Sequence, residues 1–249
     1  MPHYKTIFIS DIHLGSRASQ AEMLVDFLKN NTCEKLFLVG DIIDGWRLRR
    51  RWYFPQSHAN VIRAILGAAK RGTEVYYVLG NHDEVFRKFL NYNINVGRIN
   101  ICDSVTYTAV NGKQYYVTHG DAFDSLMSNG KWLMHVGDTL YAIAVWANMH
   151  FNWVRKKLGM PYWSLSNWLK TNTKQAVAYI DNYEEHVANY CEKQGFAGII
   201  CGHIHTPAIK QIKNVTYMNC GDWCESCTAL VETLEGDWQL LFITDTKIS

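Results

Sequence analysis

Lys35-Leu36-Phe37-Leu38-Val39-Gly40-Asp41-Ile42-Ile43-Asp44 is an apolar run that stops at a glycine and two carboxylates. A run this continuous reads as a strand buried on both faces. Gly40 lets the chain turn sharply where the strand ends. The same pattern recurs four times. Tyr4–Ser10 runs into Asp11-Ile12-His13, and Glu74–Leu79 runs into Gly80-Asn81-His82-Asp83. Gln114–Thr118 runs into His119-Gly120-Asp121, and Gly198–Cys201 into Gly202-His203-Ile204-His205. Between the first strands, Ala21–Asn30 spaces Met23, Leu24, Phe27 and Leu28 as a helix would. His58–Arg71 does the same with Val61, Ile62, Ile65 and Leu66. Strands alternating with amphipathic helices predict βαβ units, a mainly parallel sheet and an α/β fold.

Further along, Val105–Val110 and Gln114–Thr118 flank Asn111-Gly112, a hairpin signal. Val215–Asn219, Thr228–Thr233 and Trp238–Thr244 read as closing strands. Residues 125–195 differ in character. They read as helical and hold five of the nine tryptophans, Trp132, Trp146, Trp153, Trp163 and Trp168. No Asp or Glu stands between Thr139 and Ile180, while Arg155, Lys156, Lys157, Lys170 and Lys174 do. With no repeat and no Ser/Gly-rich linker, the expected organisation is one domain over 1–249 with a helical insertion at about 125–195.

The 249 residues bury a large core without staples. A hydrophobic share of 48% excludes disordered and low-complexity classes. A net charge of +2 excludes a nucleic-acid binder that works by bulk charge. The total conceals a division: Arg47, Arg49, Arg50 and Arg51 with the five basic residues of 139–180 contribute +9, and the remainder −7. Seven scattered cysteines, and an opening that enters an apolar run at once, predict a reducing, cytoplasmic setting with free thiols. The most apolar stretch, Leu140–Val154, carries Asn148, His150 and Asn152, and no run reaches the roughly 18 residues of a membrane span. Cys220, Cys224 and Cys227 read as small apolar fillers rather than a zinc or redox site.

Each strand-end block alone is ordinary turn chemistry. Five of them in one α/β chain are not, because ligands gather at the carboxyl ends of such strands. Imidazoles, carboxylates and one amide oxygen suit Mn, Fe, Zn or Ni-type divalent ions. The absence of thiolates argues against a structural zinc site. Two such ions need a bridging anionic ligand to sit about 3.5–4 Å apart, and a pair of this kind suits in-line displacement at phosphorus.

The five blocks DIH, GDIID, GNHD, HGD and GHIH resemble the calcineurin-like metallophosphoesterases, whose pattern is D-x-H, G-D-x-x-D, G-N-H-[DE], H-G-D or a variant, and G-H-x-H. The resemblance implies a four-layer αββα sandwich and two divalent metal ions, with Mn²⁺ favoured. It assigns Asp11, His13, Asp41 and His205 to one ion and Asp41, Asn81, His119 and His203 to the other. Asp44 and Asp121 would orient ligand histidines or strand-end amides. His82 would contact the phosphate and protonate the leaving oxygen, with Asp83 orienting it.

The chain length, Ser10-Asp11-Ile12-His13-Leu14-Gly15, Gly45-Trp46, the helical insertion and Asn219-Cys220-Gly221-Asp222-Trp223 look like the UDP-2,3-diacylglucosamine diphosphatase branch. That branch releases UMP and 2,3-diacylglucosamine 1-phosphate from a lipid-linked nucleotide in lipid A biosynthesis. It typically carries G-N-R-D where this sequence has Gly80-Asn81-His82-Asp83. The apolar, Trp-rich insertion suits a wall for acyl chains, and its basic residues suit phosphate or peripheral contact with the inner leaflet. Arg47, Arg49, Lys170, Thr173 and Lys174 are the candidate substrate contacts. The runner-up reading is a phosphodiesterase or nuclease acting on cyclic nucleotides or polynucleotides, with nucleic acid the weaker partner. The third is a non-catalytic scaffold of the same fold.

Overall fold

In chain order the elements are β1 (His3–Ile9), α1 (Ala21–Asn30), β2 (Thr32–Val39), α2 (Gly45–Arg50), α3 (Gln56–Lys70), β3 (Glu74–Val78), β4 (Asn95–Val96), β5 (Ile99–Cys102), β6 (Ser104–Thr108), β7 (Gln114–Thr118), α4 (Lys174–Gln194), β8 (Gly198–Cys201), β9 (Ala208–Ile212), β10 (Val215–Asn219), β11 (Thr228–Glu232) and β12 (Trp238–Phe242). Short 3₁₀ segments cover Glu84–Tyr92 and Asp121–Leu126. These come from a computed structural model that describes residues 1–92, 95–96, 98–126, 151, 155, 157–158 and 174–244. The chain divides into two compact units, Met1–Asp121 with Ala188–Ser249, and Ala122–Val187. The expected insertion at 125–195 lies for the most part outside the described residues, and so do its five tryptophans. Within the second unit, Tyr179 donates to Asp124 at 2.9 Å and Phe123 meets Tyr183 edge-on.

The first unit holds both sheets. Seven strands run in the order β12-β11-β1-β2-β3-β5-β4, and five in the order β6-β7-β8-β10-β9. The sheets are mixed rather than mainly parallel. The βα units lay β1, β2, β3 and β5 parallel, whereas β11 pairs antiparallel with β1, β12 with β11 and β4 with β5. β9, which the sequence reading leaves unassigned, pairs antiparallel with β10.

The unbroken apolar strands have a direct explanation. Alternate residues face opposite sides, and both sides of the larger sheet are covered. Ile7, Ile9, Leu36 and Leu38 pack with Leu24, Phe27 and Leu28 of α1 and Val61 and Ile65 of α3. Phe8, Phe37 and Val39 point the other way, into a second core with Tyr107, Tyr115, Val117 and Ile200 of the smaller sheet. Phe8 stacks on Phe37 at 4.7 Å, Phe37 on Tyr76 at 4.5 Å, and Tyr107 closes edge-on from the facing sheet. Beyond the smaller sheet, Tyr190 of α4 meets Tyr116 of β7, and Cys191 is buried. Helices, two sheets and a helix therefore make four layers. All seven cysteines are free, and burial pushes the Cys33 and Cys201 thiols up to about 12, which leaves them unreactive.

Register sets the strand ends level. Ile9 pairs with Leu38 and Val39 with Val78, so the chain leaves β1, β2 and β3 at one height. Asp11 N then donates to Gly40 O at 3.0 Å, and Gly40 N to Val78 O at 2.9 Å.

One polar group stands in the inter-sheet core. Glu232 of β11 is fully buried and accepts from the Tyr107 hydroxyl and from Val110 N, while Tyr107 also meets Thr6 Oγ1. Tyr107→Phe leaves that carboxylate short of a donor. The expected cost is about 1–3 kcal/mol, read as a lower urea midpoint at unchanged m-value.

Candidate metal centre

The five blocks arrive at one place with a strained backbone. Seven non-glycine residues have positive φ among the described residues, and five are candidate ligands: Asp11 (52°), His13 (50°), Asp41 (54°), His203 (70°) and His205 (52°). Such conformations are uncommon for residues with a Cβ and cost of order 1–3 kcal/mol each, so they persist only where neighbours over-determine them. Here they do. His13 N donates to Asp41 O at 2.9 Å, Asp11 Oδ2 accepts from His203 N at 3.0 Å, and Asp41 Oδ1 accepts from His82 N at 2.9 Å.

Two glycines make the close approach possible. A Cβ at Gly80 would run into Asp41 Oδ1 and lie 2.6 Å from Asp41 N. A Cβ at Gly202 would run into Asp11 Oδ2 and lie 2.7 Å from Ser10 Cβ. Both glycines are therefore space requirements set by the two central carboxylates.

Three overlapping groups of ligand atoms result, each within 4.8 Å: Asp11, His13 and His205; Asp11, Asp41 and His119; and His13, Asp41 and His82. Asp41 Oδ2 is 3.4 Å from His119 Nε2, 3.8 Å from His82 Nε2 and 3.9 Å from His13 Nε2. Asp11 Oδ1 is 3.0 Å from His205 Nε2 and 3.8 Å from His13 Nε2. Asn81 Oδ1 lies 3.2 Å from His119 Nε2, and the His203 ring lies 5.1 Å from the His119 ring. All seven residues expected as ligands thus stand together, with Asp11, His13 and Asp41 each shared between overlapping groups.

The field of this cluster asks for positive charge. Burial alone would raise the Asp11 carboxyl, yet His205 and His119 hold it down to about 2. Asp41 is likewise held well below the usual carboxylate range against its burial, chiefly by His119. Burial opposes charge on His119, but Asp41 and Asp11 lift it to about 10. His13, with burial dominant, falls to about 4. Asp11 Oδ1 is buried, and it faces the imidazole nitrogens of His205 at 3.0 Å and His13 at 3.8 Å. A buried carboxylate oxygen facing two imidazole nitrogens across 3–4 Å fits a cation in the proton's place. The residues present therefore fit a divalent-metal centre.

His82 departs from expectation in its partner. Asp83 does not orient it: fully buried, Asp83 accepts from Ile42 N, Ile43 N and the Tyr77 hydroxyl and so pins the loop after β2. Asp44 takes the orienting place, 3.0 Å from His82 Nδ1. Burial opposes charge on His82, but the Asp44 contact and the charges of Asp41 and Asp44 outweigh it and raise its pKa. The same Asp44 caps α2, accepting from Arg47 N at 3.0 Å, and holds Arg47 Nε at 3.1 Å. Asp121 pairs with Arg87 at 3.1 Å rather than with a ligand histidine. The basic run Arg47–Arg51 lies along the short helix α2 and its C-cap. On it Arg47 reaches Asp44 and Arg49 is exposed. Lys170 and Thr173 lie outside the described residues, and Lys174 is the first residue of α4.

Two site residues escaped the sequence reading in these roles. The Gly-Asp-x-x-Asp spacing could have marked Asp44 as a helix cap. Nothing local signals Trp46, whose ring covers His82 at 4.2 Å.

The pattern of the calcineurin-like phosphoesterases matches residues 4–207 of the chain. Curated relatives named UDP-2,3-diacylglucosamine hydrolase align over most of its length. The Azotobacter vinelandii protein is 24% identical over 226 residues, 88% of this chain and 90% of its own. The Shewanella baltica protein is 25% identical over 238 residues, 93% of this chain and 95% of its own. That from Wigglesworthia glossinidia brevipalpis is 25% identical over 242 residues, 90% of this chain and 89% of its own. With its five blocks gathered round Asp41 and the family pattern running through all of them, the chain belongs to the calcineurin-like phosphoesterases, metal-dependent hydrolases.

Proposed function

We propose that the protein hydrolyses UDP-2,3-diacylglucosamine, or a close lipid–nucleotide pyrophosphate, to UMP and the acylated sugar 1-phosphate. The observation that carries the chemistry is the overlapping cluster of buried carboxylates and imidazoles round Asp11 and Asp41. The substrate reading is supported by near full-length likeness to relatives of that name. Asp11, His13, Asp41 and His205 would hold one divalent ion, and Asp41, Asn81, His119 and His203 the other, with Mn²⁺ the favoured metal. Bound there, the ions would supply a water acidic enough to attack phosphorus and would offset charge on the phosphoryl oxygens.

The chain's own groups do the rest. Asp44 occupies His82 Nδ1, which leaves Nε2 toward the centre. The Asp44 carboxylate beside Nδ1 favours the protonated ring, which suits a proton donor to the leaving oxygen. Arg47 and Arg49 on α2, with Lys170, Thr173 and Lys174, are assigned to substrate phosphate and sugar. The insertion of about 125–195, within a single domain, is assigned to the acyl chains and to peripheral contact with the inner leaflet from the cytoplasmic side. No helix among the described residues is long and apolar enough to cross a membrane.

The His82–Asp44 pair favours a second reading. A departing phosphate needs little help from an acid, whereas a departing alkoxide needs a proton. A proton donor in place of the arginine of the diphosphatase branch therefore suits a phosphodiester with an alcohol leaving group.

Two experiments test these readings. Under Mn²⁺, UMP release from the lipid-linked UDP sugar, with no turnover of a cyclic nucleotide or single-stranded DNA, is the expected result; artificial aryl and alkyl phosphodiesters serve as probes of the leaving group. Turnover of the diesters alone would transfer the protein to the second reading. His82→Ala is expected to keep its metal content, measured by plasma mass spectrometry. It should lose about 100- to 10,000-fold in turnover for poor leaving groups and little for good ones. Equal losses across the leaving-group series would remove the acid role.

A further inference from the structure

His82 is held by more than its hydrogen bonds. Its backbone N–H donates to Asp41 Oδ1 at 2.9 Å, and its Nδ1 lies 3.0 Å from Asp44 Oδ1. One hydrogen bond at Nδ1 restrains the imidazole only softly, because the bond tolerates tens of degrees of misalignment and the χ2 well is broad, so the plane can still rock. Two rings restrict the plane. His13 meets it edge-on at 4.8 Å, and Trp46 lies against it at 4.2 Å with a 34° tilt. His13 is a candidate metal ligand and is committed elsewhere. The Trp46 indole is tied at its far edge instead, its Nε1 donating to Glu84 Oε1 at 3.3 Å.

The backbone closes the same contact. Gly45 N donates to His82 O at 3.2 Å, and a Cβ at Gly45 would stand 2.8 Å from that oxygen. The first turn of α2 therefore closes on residues 82–84 from both ends: glycine against the His82 carbonyl, indole against the His82 ring, and indole N–H to Glu84. A ring stacked on a flat neighbour of fixed orientation loses the rotation that a single hydrogen bond permits.

We propose that Trp46 is a positioning residue for the reaction: the face of its ring sets the plane of His82 so that Nε2 faces the metal centre. The inference rests on the assignment of His82 as the group that serves the leaving oxygen. It adds that this service depends on an aromatic plane supplied by α2. Position 46 then acts through His82 and not on the substrate.

The test is a double-mutant cycle on the metal-loaded enzyme with a series of aryl and alkyl phosphodiesters. Trp46→Leu keeps bulk but no plane, and Trp46→Phe keeps a plane but no N–H. Trp46→Leu is expected to lower kcat by up to about 100-fold for poor leaving groups at unchanged KM, the scale set by an ångström of misplacement. Trp46→Phe should retain most of that activity. The Trp46→Leu/His82→Ala double variant should be no slower than His82→Ala alone. In the Zn²⁺-loaded protein, the ring proton signals of His82 should lose their ring-current shift in Trp46→Leu and keep most of it in Trp46→Phe. Additive losses in the double variant, a rise in KM at constant kcat, or wild-type turnover of Trp46→Leu would each overturn the proposal while leaving His82 in its role. An unimpaired His82→Ala would instead overturn the role of His82, and the positioning proposal with it.

Discussion

The buried carboxylate of Asp41 is the point on which the rest of the structure turns. It stands at the end of β2, nearly inaccessible, with histidines from three other blocks around it. Removing a carboxylate from water costs several kcal/mol unless charge and hydrogen bonds compensate. The His82 amide compensates one oxygen, and the imidazoles with the cation they would share compensate the other. That requirement reaches outward. Gly80 has no side chain because Asp41 occupies its space, and Asp41 adopts a left-handed conformation because its carboxylate must turn back over the strand end. The level exit of β1, β2 and β3 follows from a register locked by two apolar cores.

Around this point the polar residues divide the labour in a way that their positions in the chain conceal. Asp44 links three things at once: the N-terminus of α2, the guanidinium of Arg47 and the ring of His82. Asp83, adjacent to His82 in sequence, serves the loop after β2 instead. Both lie in the turn between β3 and the 3₁₀ segment, where Asp83 is fully buried on the β2 loop while His82 faces Asp41 and Asp44. The same separation of roles explains Asp121, which steadies Arg87 and thereby ties the segment after the third block to the end of β7.

Strain is concentrated where chemistry is expected. Five left-handed non-glycine residues within one cluster are a stored cost that the surrounding hydrogen bonds and packing sustain. The cysteines lie in apolar surroundings, their thiols raised by burial.

By itself, the sequence determined the helix Ala21–Asn30, a second helix read over His58–Arg71 and found over Gln56–Lys70, and the strand runs that end in histidines and carboxylates. Those features are legible because they follow from periodicity, from apolar runs that need two covered faces, and from residue types with specific affinities. What only the tertiary structure decided is who orients whom. The Asp44–His82 contact, the Trp46 ring on His82, the inter-sheet Glu232 and the edge strand β9 join residues whose partners are set by sheet order and register. A contact between positions 38 residues apart depends on how two strand ends are brought level, and no local pattern in the chain carries that information.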